Sequence, residues 1–307
     1  MTALRTKPRI LMCAPDHFSV SYRINPWMDP PSWRTQGVVL EATAHREWSV
    51  LRDTLAGVGA DIELVTPAAG LPDLVFTANA AVVMDRTVLL ARFRHPERQG
   101  EEAHYARAFE ALRARGIVDR IVALPDGIVH EGAGDCVWDR TRRLFWMGHG
   151  PRSDLVAAPV IAETFGVETI ALELPDPRFY HMDTTLCPLT RGELMYFPGG
   201  FTEAGLAEIH ARVAPELRVE IGVGDAATLA ANAVCLGDAI IASSMSPDLT
   251  RRLAERGYQV QRAPLESFRR SGGSAFCLTL RLDHWTAGAG QPALPRAANN
   301  TVPGRAA

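Results

Sequence analysis

The chain has 307 residues, 47% of them hydrophobic and 22% charged, enough to bury a sizeable core as one large or two ordinary domains. Its formal net charge of −3 and scattered Lys and Arg residues exclude the single-sign surface that draws nucleic acid or an anionic membrane, which leaves a small molecule as the expected partner. No apolar stretch approaches a bilayer span, and Ile10-Leu11-Met12 beside Cys13 is too short for a secretory core, so the chain reads as cytoplasmic.

The first expected element is an unpaired strand, Arg9 to Cys13, followed by Asn25-Pro26-Trp27 and a helix near 40–57. A unit of about fifty residues then recurs: a polar lead-in with Gly, Asn or Asp, an apolar hairpin, an amphipathic helix and one more strand. One copy opens at Phe76-Thr77-Ala78-Asn79, continues through the hairpin 81–91 turned by Asp85-Arg86-Thr87, and ends with a helix near 98–115 and the strand 121–124. The next opens at Glu131-Gly132-Ala133-Gly134-Asp135, with strands at 136–138 and 144–147, a helix near 153–165 and the strand 169–172. A third opens at His181-Met182-Asp183-Thr184-Thr185, with a turn at Arg191-Gly192 and a helix near 202–213. A fourth opens at Ala231-Asn232-Ala233, with a turn at Gly237-Asp238 and a helix near 247–256.

The lead-in residues Asn79, Asp135, Asp183, Asn232 and Cys277 lie 56, 48, 49 and 45 positions apart. After Cys277 the last unit has a single strand, 277–282, which the strand at the start of the chain can complete. The spacing therefore predicts an α/β propeller of five ββαβ units, closed by its own ends, with the lead-ins converging on the axis where a small-molecule site would form. The alternative is an open α/β sheet with coincidental spacing. Residues 1–284 read as one catalytic domain, and 285–307, rich in Ala, Gly, Pro and Asn, as a disordered tail. Nothing in the chain fixes an oligomeric state, and a homo-oligomer stays open.

Five cysteines, at 13, 136, 187, 235 and 277, form no C-x-x-C pair, which argues against a disulfide framework and a zinc cage. Cys277 follows Gly272-Gly273, whose permitted backbone angles would present its thiol at a strand start. A cysteine after two glycines is more often structural than catalytic, so its case rests on a partner. His181 and Asp183 would face the same side of an extended segment, pairing an imidazole with a carboxylate suited to acid/base work. His130-Glu131 with Asp135 could orient that histidine, bind a cation or form a turn. Glu131, Asp135, His181 and Asp183 lack any recognised metal-ligand spacing, and no metal is expected. Arg152, expected at a helix start, could bind a carboxylate through its fork geometry, as could Arg92, Arg94 and Arg98.

Taken together, Phe76-Thr77-Ala78-Asn79, Glu131-Gly132-Ala133-Gly134-Asp135, Phe179-Tyr180-His181-Met182-Asp183-Thr184 and Gly272-Gly273-Ser274-x-x-Cys277-Leu278-Thr279 resemble the guanidino-group-modifying superfamily of the pentein fold. The resemblance spans residues 9 to 282. Members include arginine deiminases, dimethylarginine dimethylaminohydrolases, agmatine deiminases, amidinotransferases and the arginine dihydrolase of cyanobacteria. The resemblance implies Cys277 as nucleophile on the guanidinium carbon, His181 as acid/base and Glu131 as the residue that orients it. It implies guanidinium contacts from Asp183, Asn79 and Asn25, with Asp135 in the same lead-in set, and a substrate carboxylate held by Arg98 and Arg152. No metal or organic cofactor is implied.

Asn79 stands where deiminases and dimethylargininases generally carry an acidic residue, and dimethylargininases usually lack the Asp two positions after the histidine. The chain therefore resembles most the arginine dihydrolase, which yields ornithine, CO2 and ammonia. Citrulline-forming hydrolysis and amidino transfer are the alternatives, and a binding module without activity is a third. Phe276, just before the nucleophile, departs from the pattern and would alter substrate choice if it pointed inward.

Overall fold

A computed structural model describes residues 7–286, and the expectation for the tail falls outside them except at Trp285 and Thr286. The strands form five separate sheets of three. Four contain an antiparallel hairpin and a strand returning parallel beside its second member. These are Ala81–Met84, Thr87–Leu90 and Arg120–Val122; Cys136–Asp139, Leu144–His149 and Glu168–Glu173; Leu186–Pro188, Leu194–Tyr196 and Arg218–Glu220; and Val234–Leu236, Ala239–Ala242 and Gln259–Arg262. The fifth joins the two ends of the chain. Leu280–Arg281 pairs antiparallel with Arg9–Cys13, which pairs parallel with Asp61–Val65.

Between the second and third strand of each sheet runs a helix: Pro30–Gly57, Pro96–Ala114, Ala157–Phe165, Glu203–Arg212 and Pro247–Glu255. Their ends follow local chemistry. Pro30, Pro96 and Pro247 occupy first-turn positions where a missing N–H costs nothing. The Thr202 and Ser246 side chains accept hydrogen bonds from Gly205 N and Leu249 N as N-caps. The first helix begins about ten residues earlier than its apolar periodicity suggests, because Pro30-Pro31 nucleates a turn ahead of the buried Trp33. The third begins at Ala157, so Arg152 lies in the preceding loop rather than at the helix start. No helix among the described residues is long and apolar enough to cross a membrane.

The strand expected at 277–282 is shorter than the apolar pattern, with only Leu280–Arg281 in the sheet. Cys277 sits in the turn before it, with Leu278 N donating to Ser274 O and Thr279 N to Phe276 O. Phe276 is half-buried and packs against two of the hydrophobic clusters, away from the cleft described below.

Beneath the Cys277 turn, Phe18 stacks on Phe268 with centroids 4.8 Å apart and meets Phe76 and Trp33 edge-on. This aromatic cluster joins the N-terminal loop, the Asn79 lead-in and the segment leading to Cys277. Phe268→Ala should therefore lower unfolding free energy by about 3–5 kcal/mol, read as a lower urea midpoint at unchanged slope; a loss below about 1 kcal/mol would show the cluster collapses to fill the gap.

Candidate active site

Each lead-in brings its side chain to the axis on a short turn rather than an extended strand. Thr77–Ala80, Gly132–Gly134 and Met182–Thr184 are single 3-10 turns, immediately before or around the residues singled out by sequence. Gly132 has φ +66°, and a side chain there would meet Ala78 O at 2.7 Å, so two lead-ins approach backbone to backbone. Because His181 caps such a turn, it and Asp183 do not share the common direction an extended segment would give them. Their side chains separate toward two different partners.

His181 turns to Glu131, with Nε2 2.8 Å from Oε2. Glu131 is fully buried and also accepts from Arg152 Nη1 at 3.0 Å and Arg94 N at 3.2 Å. Burial works to raise Glu131, but Arg152 and then His181 hold its carboxyl below the ordinary range, so it is ionised. Burial pulls His181 down to about 4 against the pull of Glu131. A neutral imidazole facing an ionised carboxylate must carry its proton on Nε2, which leaves Nδ1 as the basic nitrogen.

Asp183 turns the other way, to Cys277. Cys277 Sγ donates to Asp183 Oδ2 at 3.0 Å, while Asp183 Oδ1 is buried with no hydrogen-bond partner among the described residues. Burial pushes Asp183 up to about 7. Burial, and then the Asp183 charge, push the Cys277 thiol well above its ordinary value. Without a cation beside it the sulfur is a neutral thiol.

Cys277, Asn25, Asn79, Arg98 and Arg152 line one cleft of about 250 Å³, counting the solvent space at its mouth, together with Asp73, Tyr180, Ser271 and others. Their side chains are already held. Arg98 forms a two-point ion pair with Glu101 and donates Nη1 to Asn79 Oδ1 at 2.9 Å, while Asn79 Nδ2 donates to Glu131 O at 3.1 Å. Arg152 also donates Nη2 to Ile24 O at 3.1 Å and lies 4.6 Å over the Tyr180 ring. Asn25 bridges Ser271 O and Trp27 N. Gly272, at φ +87°, packs against the lining residues, where a side chain would strike the Tyr180 hydroxyl at 2.7 Å.

Asp135 does not line the cleft. Its carboxylate accepts from Ser153 Oγ at 2.5 Å and Met182 N at 3.1 Å, so it braces the turn after His181 instead of facing a ligand. Arg94 pairs with Asp154, and Arg92 donates to the carbonyls of Pro125 and Ile128, so neither adds to a carboxylate clamp. Conversely, Asn232 touches Cys277 directly: Nδ2 donates to Cys277 Sγ at 3.0 Å and Oδ1 accepts from Cys277 N at 3.2 Å. Its repeat position signalled the axis but not the contact. Asp73, whose carboxylate accepts from Tyr22 Oη and Ser271 Oγ, carried no sequence signal.

A family model for N,N dimethylarginine dimethylhydrolase, eukaryotic, matches residues 30–283. The chain belongs to that family. As a dimethylarginine dimethylhydrolase family member it is 43% identical, over 89% of its length, to a bifunctional arginine dihydrolase/ornithine cyclodeaminase, ArgZ, of Synechocystis, but spans only 37% of that protein. It is 34% identical to the N(G),N(G)-dimethylarginine dimethylaminohydrolase of Mycobacterium tuberculosis, covering 89% of this chain and 85% of that one. The solved N-terminal domain of ArgZ, a Cys-to-Ser variant bound to substrate, superposes with a TM-score of 0.83 at 41% identity, covering 91% of this chain and 99% of that one. The five-unit propeller predicted from the repeat is thus the pentein fold of the guanidino-group-modifying superfamily.

The Arg152 and Glu131 charges are both essentially dry, so removing one leaves the other costly. Arg152→Met should destabilise the fold by roughly 3 kcal/mol, checked by urea titration; an unchanged midpoint would mean that His181 and the Arg94 backbone N–H satisfy Glu131 without it.

Proposed function

We propose that the chain hydrolyses the guanidino group of arginine through Cys277, in the manner of an arginine dihydrolase, giving ornithine, CO2 and ammonia. The observation that carries this reading is the pairing of Cys277 Sγ with the buried Asp183, whose Oδ1 has no hydrogen-bond partner among the described residues, behind a cleft that Cys277 and the amide Asn79 both line. Asp183 supplies one carboxylate for a guanidinium, while Asn79 places no second negative charge there, so the neutral ureido group formed midway meets little electrostatic mismatch. Sequence similarity supports the same outcome, since ArgZ is an arginine dihydrolase over the matched portion of its chain, and an ArgZ domain variant has been solved with a reaction intermediate covalently bound.

The chemistry follows from the two poles of the site. A guanidinium beside Asp183 brings positive charge to the neutral Cys277 thiol and favours the thiolate. The thiol proton passes to the neutral His181, attack on the guanidinium carbon forms a C–S bond, and the first C–N bond breaks as His181 hands that proton to the departing nitrogen, which leaves as ammonia. The neutral imidazole then takes a proton from water, which adds to the thiouronium carbon and expels the thiolate. Glu131, ionised and fixed by Arg152, stabilises the imidazolium whenever it forms. A second passage through the same steps removes the second ammonia and leaves a carbamate of ornithine that releases CO2. The Arg98 and Arg152 guanidinium groups are proposed to meet the substrate carboxylate from the cleft wall.

The family match favours one other reading, release of a methylated amine and citrulline from dimethylarginine. Incubation with arginine separates the two. Ornithine with two equivalents of ammonia supports the dihydrolase, whereas citrulline as the end product, with turnover of dimethylarginine, supports the other. In either case Cys277→Ser should lower turnover by on the order of a thousandfold or more, and undiminished activity would end the nucleophile assignment.

The pH dependence has a definite sign. A carboxyl raised to about 7 is protonated below that value and cannot attract a guanidinium. For arginine, kcat/KM should therefore rise with pH through about 7, and Asp183→Asn should lose that limb at a much lower rate. A wild-type profile flat from pH 5.5 to 8 would exclude this role.

A further inference from the structure

We propose that Asn232 is a catalytic residue of this site: its side-chain amide holds the Cys277 sulfur as a thiolate, and it matters most in the step where the reacting carbon carries no positive charge. The second half of this statement rests on the dihydrolase reading.

Asn232 is fully buried, and every polar atom of its side chain is spent at the site. Oδ1 accepts from Cys277 N, Nδ2 donates to Cys277 Sγ, and Nδ2 also donates to Asp183 O at 3.1 Å. The amide thus grips the nucleophile at two points and ties it to the backbone of the residue that would hold the guanidinium. Its direction is fixed by this pattern, since Asp183 O can only accept and Cys277 N can only donate. An N–H aimed at sulfur from a dry, fixed position stabilises the thiolate more than the thiol.

The rest of the surroundings give this donor its weight. Burial and the Asp183 carboxylate both disfavour the thiolate, and the groups that favour it are the Asn232 amide and the backbone N–H of Ser274. While a guanidinium occupies the cleft, its own positive charge offsets the first two. The ureido group formed midway has no such charge, yet the thiolate must form again to attack it. In that step Cys277 Sγ bonds to the ureido carbon, the C–N bond breaks, and the thiol proton ends on the departing ammonia. Water then cleaves the resulting thiocarbamate, returning the thiol and a carbamate that loses CO2. Only fixed protein donors support the thiolate there.

Two variants test this, Asn232→Asp, which keeps the shape but replaces the donor with an acceptor, and Asn232→Ala. Thiolate formation is read as absorbance near 240 nm against pH, with the matching Cys277→Ser protein subtracted to remove the other cysteines. Near-UV circular dichroism confirms that each protein is folded, and Asn232→Asp serves if Asn232→Ala does not fold. The thiolate should appear at higher pH in the variants than in the wild type. With citrulline supplied as substrate, the single-turnover rate should fall on the order of a hundredfold, and with arginine, release of the first ammonia should fall on the order of tenfold or less, so citrulline accumulates. An unchanged thiolate midpoint, or equal losses on both substrates, overturns the proposal. If the wild type itself stops at citrulline, the dihydrolase reading and the weighting toward the second step both fail. The thiolate midpoint still decides the clamp: an upward shift supports it and no shift removes it.

Discussion

Around the axis of the ring, each lead-in passes a hydrogen bond to the lead-in of a neighbouring unit. Asn79 Nδ2 donates to Glu131 O, Asp135 Oδ1 accepts from Met182 N, and Asn232 Nδ2 donates to Asp183 O. Cys277 N donates to Asn232 Oδ1, and Ala78 N donates to Cys277 O, which brings the circuit back to its start. Five units that could each bury only one face of a small sheet are thereby locked at their narrow ends. Buried polar groups must be satisfied, so the residues that hold the ring together and those that surround the nucleophile are largely the same.

That belt separates two electrical environments a short distance apart. On one side the buried carboxylate of Glu131 is matched by Arg152, keeping it charged beside a neutral imidazole. On the other, Asp183 and Cys277 share a proton's worth of negative charge with little to balance it. The first environment is complete in the protein alone. The second lacks such a match, and under the proposed function a cation beside Asp183 would supply it and turn the buried sulfur from thiol toward thiolate.

Spacing alone carried much of this. The recurrence of Asn79, Asp135, Asp183, Asn232 and Cys277 predicted both the number of units and the closure of the ring, because a polar residue buried once per unit must sit at one equivalent place. Directions within the lead-ins were not legible. His181 and Asp183, two apart, read as facing one side, and only the 3-10 turn at Met182–Thr184 sends them to different partners. Asp135 read as a ligand contact because its neighbours are, whereas the Ser153 hydroxyl, eighteen residues away, claims it. Asp73 and Tyr22 meet across 51 residues with no motif around either. Tertiary pairings of that kind leave no trace in local pattern.

The fifth sheet is made from both ends of the chain, with Arg9–Cys13 lying between Asp61–Val65 and Leu280–Arg281. Arg9–Cys13 is therefore made long before Leu280–Arg281, the neighbour that covers its second edge. At ordinary synthesis rates of about 5–20 residues per second, that strand spends on the order of ten seconds or more with one edge open. Cys277 is translated only three residues before the strand that closes the ring. Order of synthesis thus delays the Cys277 sulfur until the residues of the four hairpin sheets have all been made.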